Sequence, residues 1–205
     1  DDKEKYRKLS MDLSMLTLQF DQNALKDKNR FELLITDENE LSGLPESARD
    51  AAAMLAKSKD KNGWLFNLSA PSYIPFMRYS DKRDLREKMY REYMSVGNKG
   101  DEFDNKDIIK KIVNIRLEIA QLMGFKNYAE YALEHTMAKN SANVYKLLNQ
   151  LLEAYKPIAI NEYNAVEGFA LGTEKENITV MPWDWSYYSE KLRDIRFKVN
   201  DEMTR

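Results

Sequence analysis

Residues 104–124 read "DNKDIIKKIVNIRLEIAQLMG". Ile108, Ile112, Ile115, Ile119 and Leu122 recur at steps of four, three, four and three. That spacing returns a side chain to the same face of an α-helix once per turn. Lys, Asn, Arg and Glu fill most of the opposite face. Asp104 stands where an N-cap belongs, with Asp107 three residues on in a capping-box position. Gly124 follows the last apolar residue, where helices end on a left-handed residue that glycine adopts without strain.

The same grammar extends to both sides. Upstream, Tyr6, Leu9, Leu13, Leu16 and Phe20 make one stripe on a helix expected over about residues 3–27. "NRFELLIT" offers a short strand at 31–35, and "WLFNLS", behind the turn signal "DKNG", offers a second at about 63–68. The two are expected to pair antiparallel across a helix that starts near Pro45 and runs through Lys57. Two more helices follow. The longer has Ser80 or Asp81 as N-cap and Leu85, Met89, Tyr93 and Val96 as buried edge. Downstream, Ser141 is expected to cap a long helix carrying Val144, Leu148, Leu151, Tyr155 and Ile158, kinked at Pro157. A last helix, capped by Asp184, carries Trp185, Tyr188, Leu192, Ile195 and Val199. The fold class is therefore mainly α: a multi-helical chain with one short antiparallel strand pair.

Composition agrees and excludes much. Gly (7) and Pro (5) are about half as frequent as in an average chain. With 43% apolar and 32% charged residues the chain should fold rather than stay disordered. Lys and Arg (32) nearly balance Asp and Glu (34), so a basic nucleic-acid surface is not expected. No apolar run approaches the ~20 residues of a membrane span, and no leader opens the sequence as given. There is no cysteine, hence no disulfide or thiolate chemistry, which fits a reducing compartment and a cytoplasmic location. Histidine occurs once, at His135, so no zinc site built on two or three histidines can form within one chain.

The candidate site residues each have an ordinary reading beside the chemical one. His135 could be a ligand or base, but with no second His or Cys it reads as a helix-end residue facing solvent. "GDEFDNKD" (100–107) is rich in oxygen ligands. It fails the calcium-loop pattern, because Phe103 and Lys106 fall where a ligand and a glycine are required. It reads as a capping loop. Pairs such as Glu38/Glu40 and Asp101/Glu102 read as solvated faces. No phosphate-binding glycine loop is present. Asp184, between Trp183 and Trp185, is the most informative carboxylate. Two indoles could desolvate it into a proton donor. The more ordinary reading makes it an N-cap while Trp185 and Tyr188 anchor the helix in a core.

At this stretch a resemblance appears. "MPWDWSYYSEKLR" (181–193) is similar to the W-D-x-x-Y-Y-x-x-K segment of the thimet oligopeptidase/peptidyl-dipeptidase family of zinc metallopeptidases. "GLPESARDAAAMLA" (43–56) resembles a helix near the middle of those enzymes. Residues 84–140 resemble their successive R-x-x-x-Y, D-N, R-x-E-x-A-x-L-x-G-F and N-Y-A-E-Y elements, closing on M-A. "EHTMAKN" and "MPWDWSYYSEK" lean toward the bacterial peptidyl-dipeptidase branch.

The resemblance implies a helical, two-lobed peptidase around a channel that admits short peptides, with zinc held by His-Glu-x-x-His and a later Glu. That motif does not occur here. The chain, which begins without Met and ends on helix-compatible "KVNDEMTR", then reads as a single helical section, residues 1–205 with no internal boundary, of a longer protein. The parent is expected to be a zinc-dependent hydrolase releasing C-terminal dipeptides from short peptides. This section is expected to be scaffold or channel wall, inactive alone, with no catalytic or metal residue of its own and the rest of the polypeptide as partner. Which residues would touch substrate is left open. The alternative is a stand-alone helical protein-interaction module.

Overall fold

The structure, a computed structural model, describes residues 1–174 and 178–197. Val199, expected to continue the last stripe, and the "KVNDEMTR" segment (198–205) lie outside the described residues, as do residues 175–177 of the "LGTEKENITVMP" connection. The elements run α1 (Asp2–Arg30), β1 (Leu33–Ile35), a 3₁₀ turn (Glu38–Leu41), α2 (Glu46–Ser58), β2 (Trp64–Phe66), α3 (Ala70–Tyr79), α4 (Arg83–Met94), α5 (Lys106–Leu122), α6 (Tyr128–Leu133), α7 (Ser141–Thr173) and α8 (Pro182–Phe197). The mainly helical expectation is met, and β1 and β2 pair antiparallel in the register Leu33 to Phe66, Leu34 to Leu65 and Ile35 to Trp64. Two compact units form. One comprises Asp1–Asp27 with Gly97–Ala159, the other Lys28–Val96 with the chain from Ile160 onward.

The first unit holds most of α1, the start of α7, and α5 and α6. The opening α5 stretch behaves as its spacing demands: Ile108, Ile112, Ile119 and Ala120 are buried. Its C-terminus closes as a Schellman motif. Gly124, at φ +84°, donates its N–H to the Gln121 carbonyl (3.0 Å), and Phe125 donates to Ala120 (2.8 Å). The α1 stripe is only half covered, and the buried residues of α1 are polar, Asn23 and Asp27. They fasten the helix to the loop before α5. The Asp27 carboxylate accepts the Gly97 N–H (2.7 Å) and the Lys99 ammonium (3.2 Å). Asn105 accepts from Asn23 (3.1 Å) and donates to the Phe20 carbonyl (3.0 Å). Here tertiary attachment is by hydrogen bonds whose loss would leave buried polar groups unpaired.

Three caps differ from expectation. Asp104 does not sit at the N-cap of α5; Asn105 does, and makes no side-chain cap bond. Asp104 accepts the N–H of Lys106, the first residue of α5 (2.9 Å), and of Gly100 (2.6 Å), so its carboxylate ties the loop to the helix start from one residue further out. The backbone bond from Lys106 leads the effects that hold its pKa at about 2. Asp107 pairs with Lys110 instead of completing a capping box. At α7, Asn140 accepts the Asn143 N–H (2.9 Å), one residue before the expected Ser141 cap. At α4, neither Ser80 nor Asp81 is the N-cap; Lys82 is, without a side-chain bond. Pro157 lies inside α7, which continues through it.

The second unit holds the apolar core. Leu33 and Ile35 point inward from β1 and meet Leu41, Leu44, Ala52, Phe66, Leu68, Phe76, Met77, Met89 and Trp183. A smaller cluster joins Val166 and Ala170 of α7 to Tyr187 and Tyr188 of α8. Gly43, at φ +85°, brings its backbone against α3; a Cβ there would stand 2.1 Å from the Tyr79 carbonyl oxygen. This close approach lets the chain after the 3₁₀ turn reach Asp81.

Candidate functional site

The chemistry of the second unit converges on Asp184, which is wholly buried. It lies in the first turn of α8 and accepts the Met181 N–H (3.0 Å), the reciprocal half of a capping box. Its other partners are two arginines of α4. Arg83 brings Nε to Oδ1 and Oδ2 (3.0 and 3.1 Å) and Nη2 to Oδ2 (2.7 Å), and Nη2 also donates to the Thr179 carbonyl (3.0 Å). Arg86, itself buried, brings Nη2 to Oδ1 (2.9 Å), Nε to the Trp183 carbonyl (3.2 Å) and Nη1 to the Ser80 carbonyl (2.7 Å). Its guanidinium lies 4.0 Å from the centre of the Tyr187 ring. A helical offset of three residues places both guanidiniums on one side of α4, where they can share one carboxylate.

A second carboxylate extends the arrangement. Asp81 accepts the Tyr187 hydroxyl (2.7 Å) and the Ser42 hydroxyl (2.7 Å), with Lys191 Nζ at 3.4 Å. Burial works against the charge on both aspartates, but their donors outweigh it and hold both carboxyls below the usual range. For Asp184 the donors are Arg83, the Met181 N–H and Arg86; for Asp81 they are Tyr187, Ser42 and Lys191. Burial, and then the bond to Asp81, pushes the Tyr187 hydroxyl above its ordinary value. Burial and a bond to Glu174 do the same to Tyr188.

An ionised carboxylate sealed from water and bonded to two guanidiniums has no proton to give near neutral pH. The proton-donor reading of Asp184 is therefore overturned. The cap reading holds in modified form: Asp184 serves the helix start from within the first turn. The aromatic assignment shifts as well. Tyr188 is buried as expected, but Trp183 takes the core position given to Trp185. Trp185 is 37% exposed and stacks on Tyr163 at 5.9 Å between ring centres. The buried face of α8 thus carries Trp183, Asp184, Tyr187, Tyr188 and Glu190, and Ile195 from the expected stripe faces solvent.

The other candidates stay apart. The His135 side chain is 91% exposed, with Glu134 3.7 Å away. Glu38 is exposed and Glu40 half-buried on the 3₁₀ turn; Asp101 and Glu102 are exposed in their loop. Among the described residues no three His, Asp or Glu side chains come together as a metal-binding group. Sequence reasoning missed Arg83 and Arg86 and offered Asp81 only as an N-cap. Arg86 lies between Leu85 and Met89 on the buried edge of α4 and opens the R-x-x-x-Y element that ends at Tyr90, two signals that could have marked it.

The sequence profile of peptidase family M3 matches residues 76–205, which include both arginines and the aromatic helix. The chain belongs to peptidase family M3. It is 39% identical over 208 residues to oligopeptidase A of Haemophilus influenzae, covering 98% of this chain and 30% of that protein. It is 37% identical to a probable cytosolic oligopeptidase A of Arabidopsis thaliana, covering 100% and 30%. It is 28% identical to a dipeptidyl carboxypeptidase of Escherichia coli, covering 98% and 29%. The M3 chain therefore spans about 30% of the length of these relatives. The resemblance carried by its motifs is confirmed at the level of the family. In this chain the W-D-x-x-Y-Y segment ties α8 to α4 through Asp184.

Proposed function

We propose that this M3 chain is a scaffold section of a zinc-dependent oligopeptidase that hydrolyses short peptides, and that it is inactive alone. The observation carrying this reading is the match of nearly the whole chain to oligopeptidase A over only 30% of that protein's length. The described residues do not fit zinc: the one histidine is exposed beside a single glutamate, and no three His, Asp or Glu side chains among them come together. The metal, with the water-activating chemistry it supplies, would be held by polypeptide outside this chain. The section from residue 1 to 205 is proposed as one structural part of a two-lobed enzyme. Its contribution is rigidity, with Asp184 joining α8 to α4. A cytoplasmic location is supported by the absence of cysteine and by the name of the Arabidopsis relative.

Cleavage within short peptides is supported by identities of 39% and 37% to proteins named oligopeptidase A, against 28% to a dipeptidyl carboxypeptidase. Release of C-terminal dipeptides, which "EHTMAKN" and "MPWDWSYYSEK" suggest, is the second reading. The test is a chimera of the Haemophilus enzyme carrying this chain in place of the stretch it matches. Chelator-sensitive hydrolysis of a quenched-fluorescent oligopeptide is expected, with internal fragments among the products by mass spectrometry. A ladder of dipeptides would select the second reading. A folded chimera without activity would count against both.

A further inference from the structure

The first half of α7 presents an apolar surface that the rest of its own compact unit leaves about half exposed. Leu147, Leu148, Leu151, Leu152, Tyr155 and Ile158 are 43–62% exposed. At about 100° and ~1.5 Å per residue they occupy roughly 140° of the helix circumference over ~17 Å. All six belong to the first compact unit. Contiguous apolar surface on this scale marks a docking face rather than scattered exposed residues. Lys146, Asn149, Gln150 and Glu153 make up the polar side, so the face has a definite edge. Its width bears on what it accepts. A helix pairing with a second copy of itself buries a narrow seam, about two positions in seven, and would leave part of this arc wet. A wide arc calls for two or more neighbouring helices.

We infer that this face of α7 is the seat of the M3 polypeptide that the relatives have and this chain does not span, which packs the apolar sides of at least two helices against it. The chain matches those relatives over 98% of its own length, α7 included, while covering 30% of theirs. The inference rests on the proposal that the chain is a section of a longer peptidase. Its readout is amide protection, so its failure is separable from a loss of hydrolysis.

Hydrogen exchange of residues 145–158 is compared between the isolated chain and the Haemophilus chimera. Exchange at least about 100-fold slower in the chimera is expected, with Leu151→Glu/Tyr155→Glu abolishing the difference there and leaving the isolated chain unchanged. A folded chimera in which 145–158 exchanges as fast as in the isolated chain overturns the inference. So does a dimer of the isolated chain that the double substitution dissolves, seen by light scattering. That second measurement needs no chimera and makes a second copy the occupant.

Discussion

Asp184 is the residue on which the second unit turns, and its energetics follow from what surrounds it. Arg86 is as buried as its partner, so removing the negative charge strands a guanidinium away from water. Asp184→Asn is expected to destabilise the chain by about 3–5 kcal/mol, measured by urea unfolding, because breaking a buried ion pair from one side costs far more than the pair's net worth. Tyr187→Phe removes only the hydroxyl that donates to Asp81, and a loss of about 1 kcal/mol is expected by the same measurement.

The pH dependence follows with a definite sign. Both aspartates titrate lower in the folded state than in the unfolded one. Their stabilisation is thus complete above the ordinary carboxylate value of about 4 and fades as pH falls through the depressed folded values. The urea midpoint should decline with acidification in that window, and Asp184→Asn should flatten the decline. The sequence placed Asp184 at the helix start but not its partners. Aspartate N-caps are common, whereas an arginine at the margin of a buried edge, as Arg86 is, usually carries its charge out to water, and Arg83 has no such position to mark it.

At the level of elements, periodicity was legible wherever one helix face meets a core. The α5 stripe and its Gly124 stop follow the spacing, and the strand pair formed within two residues of its expected ends. Caps were less legible. Asp81 takes its donors from Ser42 and Tyr187, and no local pattern registers a donor brought by another segment, while Asp104 serves the first N–H of α5 from one residue outside the N-cap. The C-terminus of α2 offers a direct check. Asp60 sits at φ +54° where Lys61 donates to the Ala56 carbonyl, a Schellman closure made with a residue that resists the left-handed region. Asp60→Gly should raise stability by about 0.5–1 kcal/mol in thermal unfolding. Helix α7 gives the contrast. Leu151 obeys the helical period as well as Ile119 does, yet it is 43% exposed and Ile119 is buried. Leu151→Ala should shift stability by no more than about 0.5 kcal/mol, whereas Phe76→Ala, in the core, should cost about 3–5 kcal/mol. Period alone tells which side of a helix is apolar and is silent on whether anything covers it.

On the scale of the whole molecule, apolar burial is uneven. Both hydrophobic clusters among the described residues lie in the second unit, while α1 in the first is fastened through Asn23, Asp27 and Asn105. Asp1–Asp27 and Gly97–Ala159 should therefore exchange their amides through lower-energy openings than the second unit, a difference that native-state hydrogen exchange would display. A section built this way fits a polypeptide whose remaining packing and chemistry are supplied elsewhere. Whether the purified chain is scaffold without a hydrolytic metal site is tested by giving it zinc and a quenched-fluorescent oligopeptide. No stoichiometric zinc after dialysis and no turnover are expected; one tightly held zinc per chain with chelator-sensitive cleavage would refute the scaffold reading.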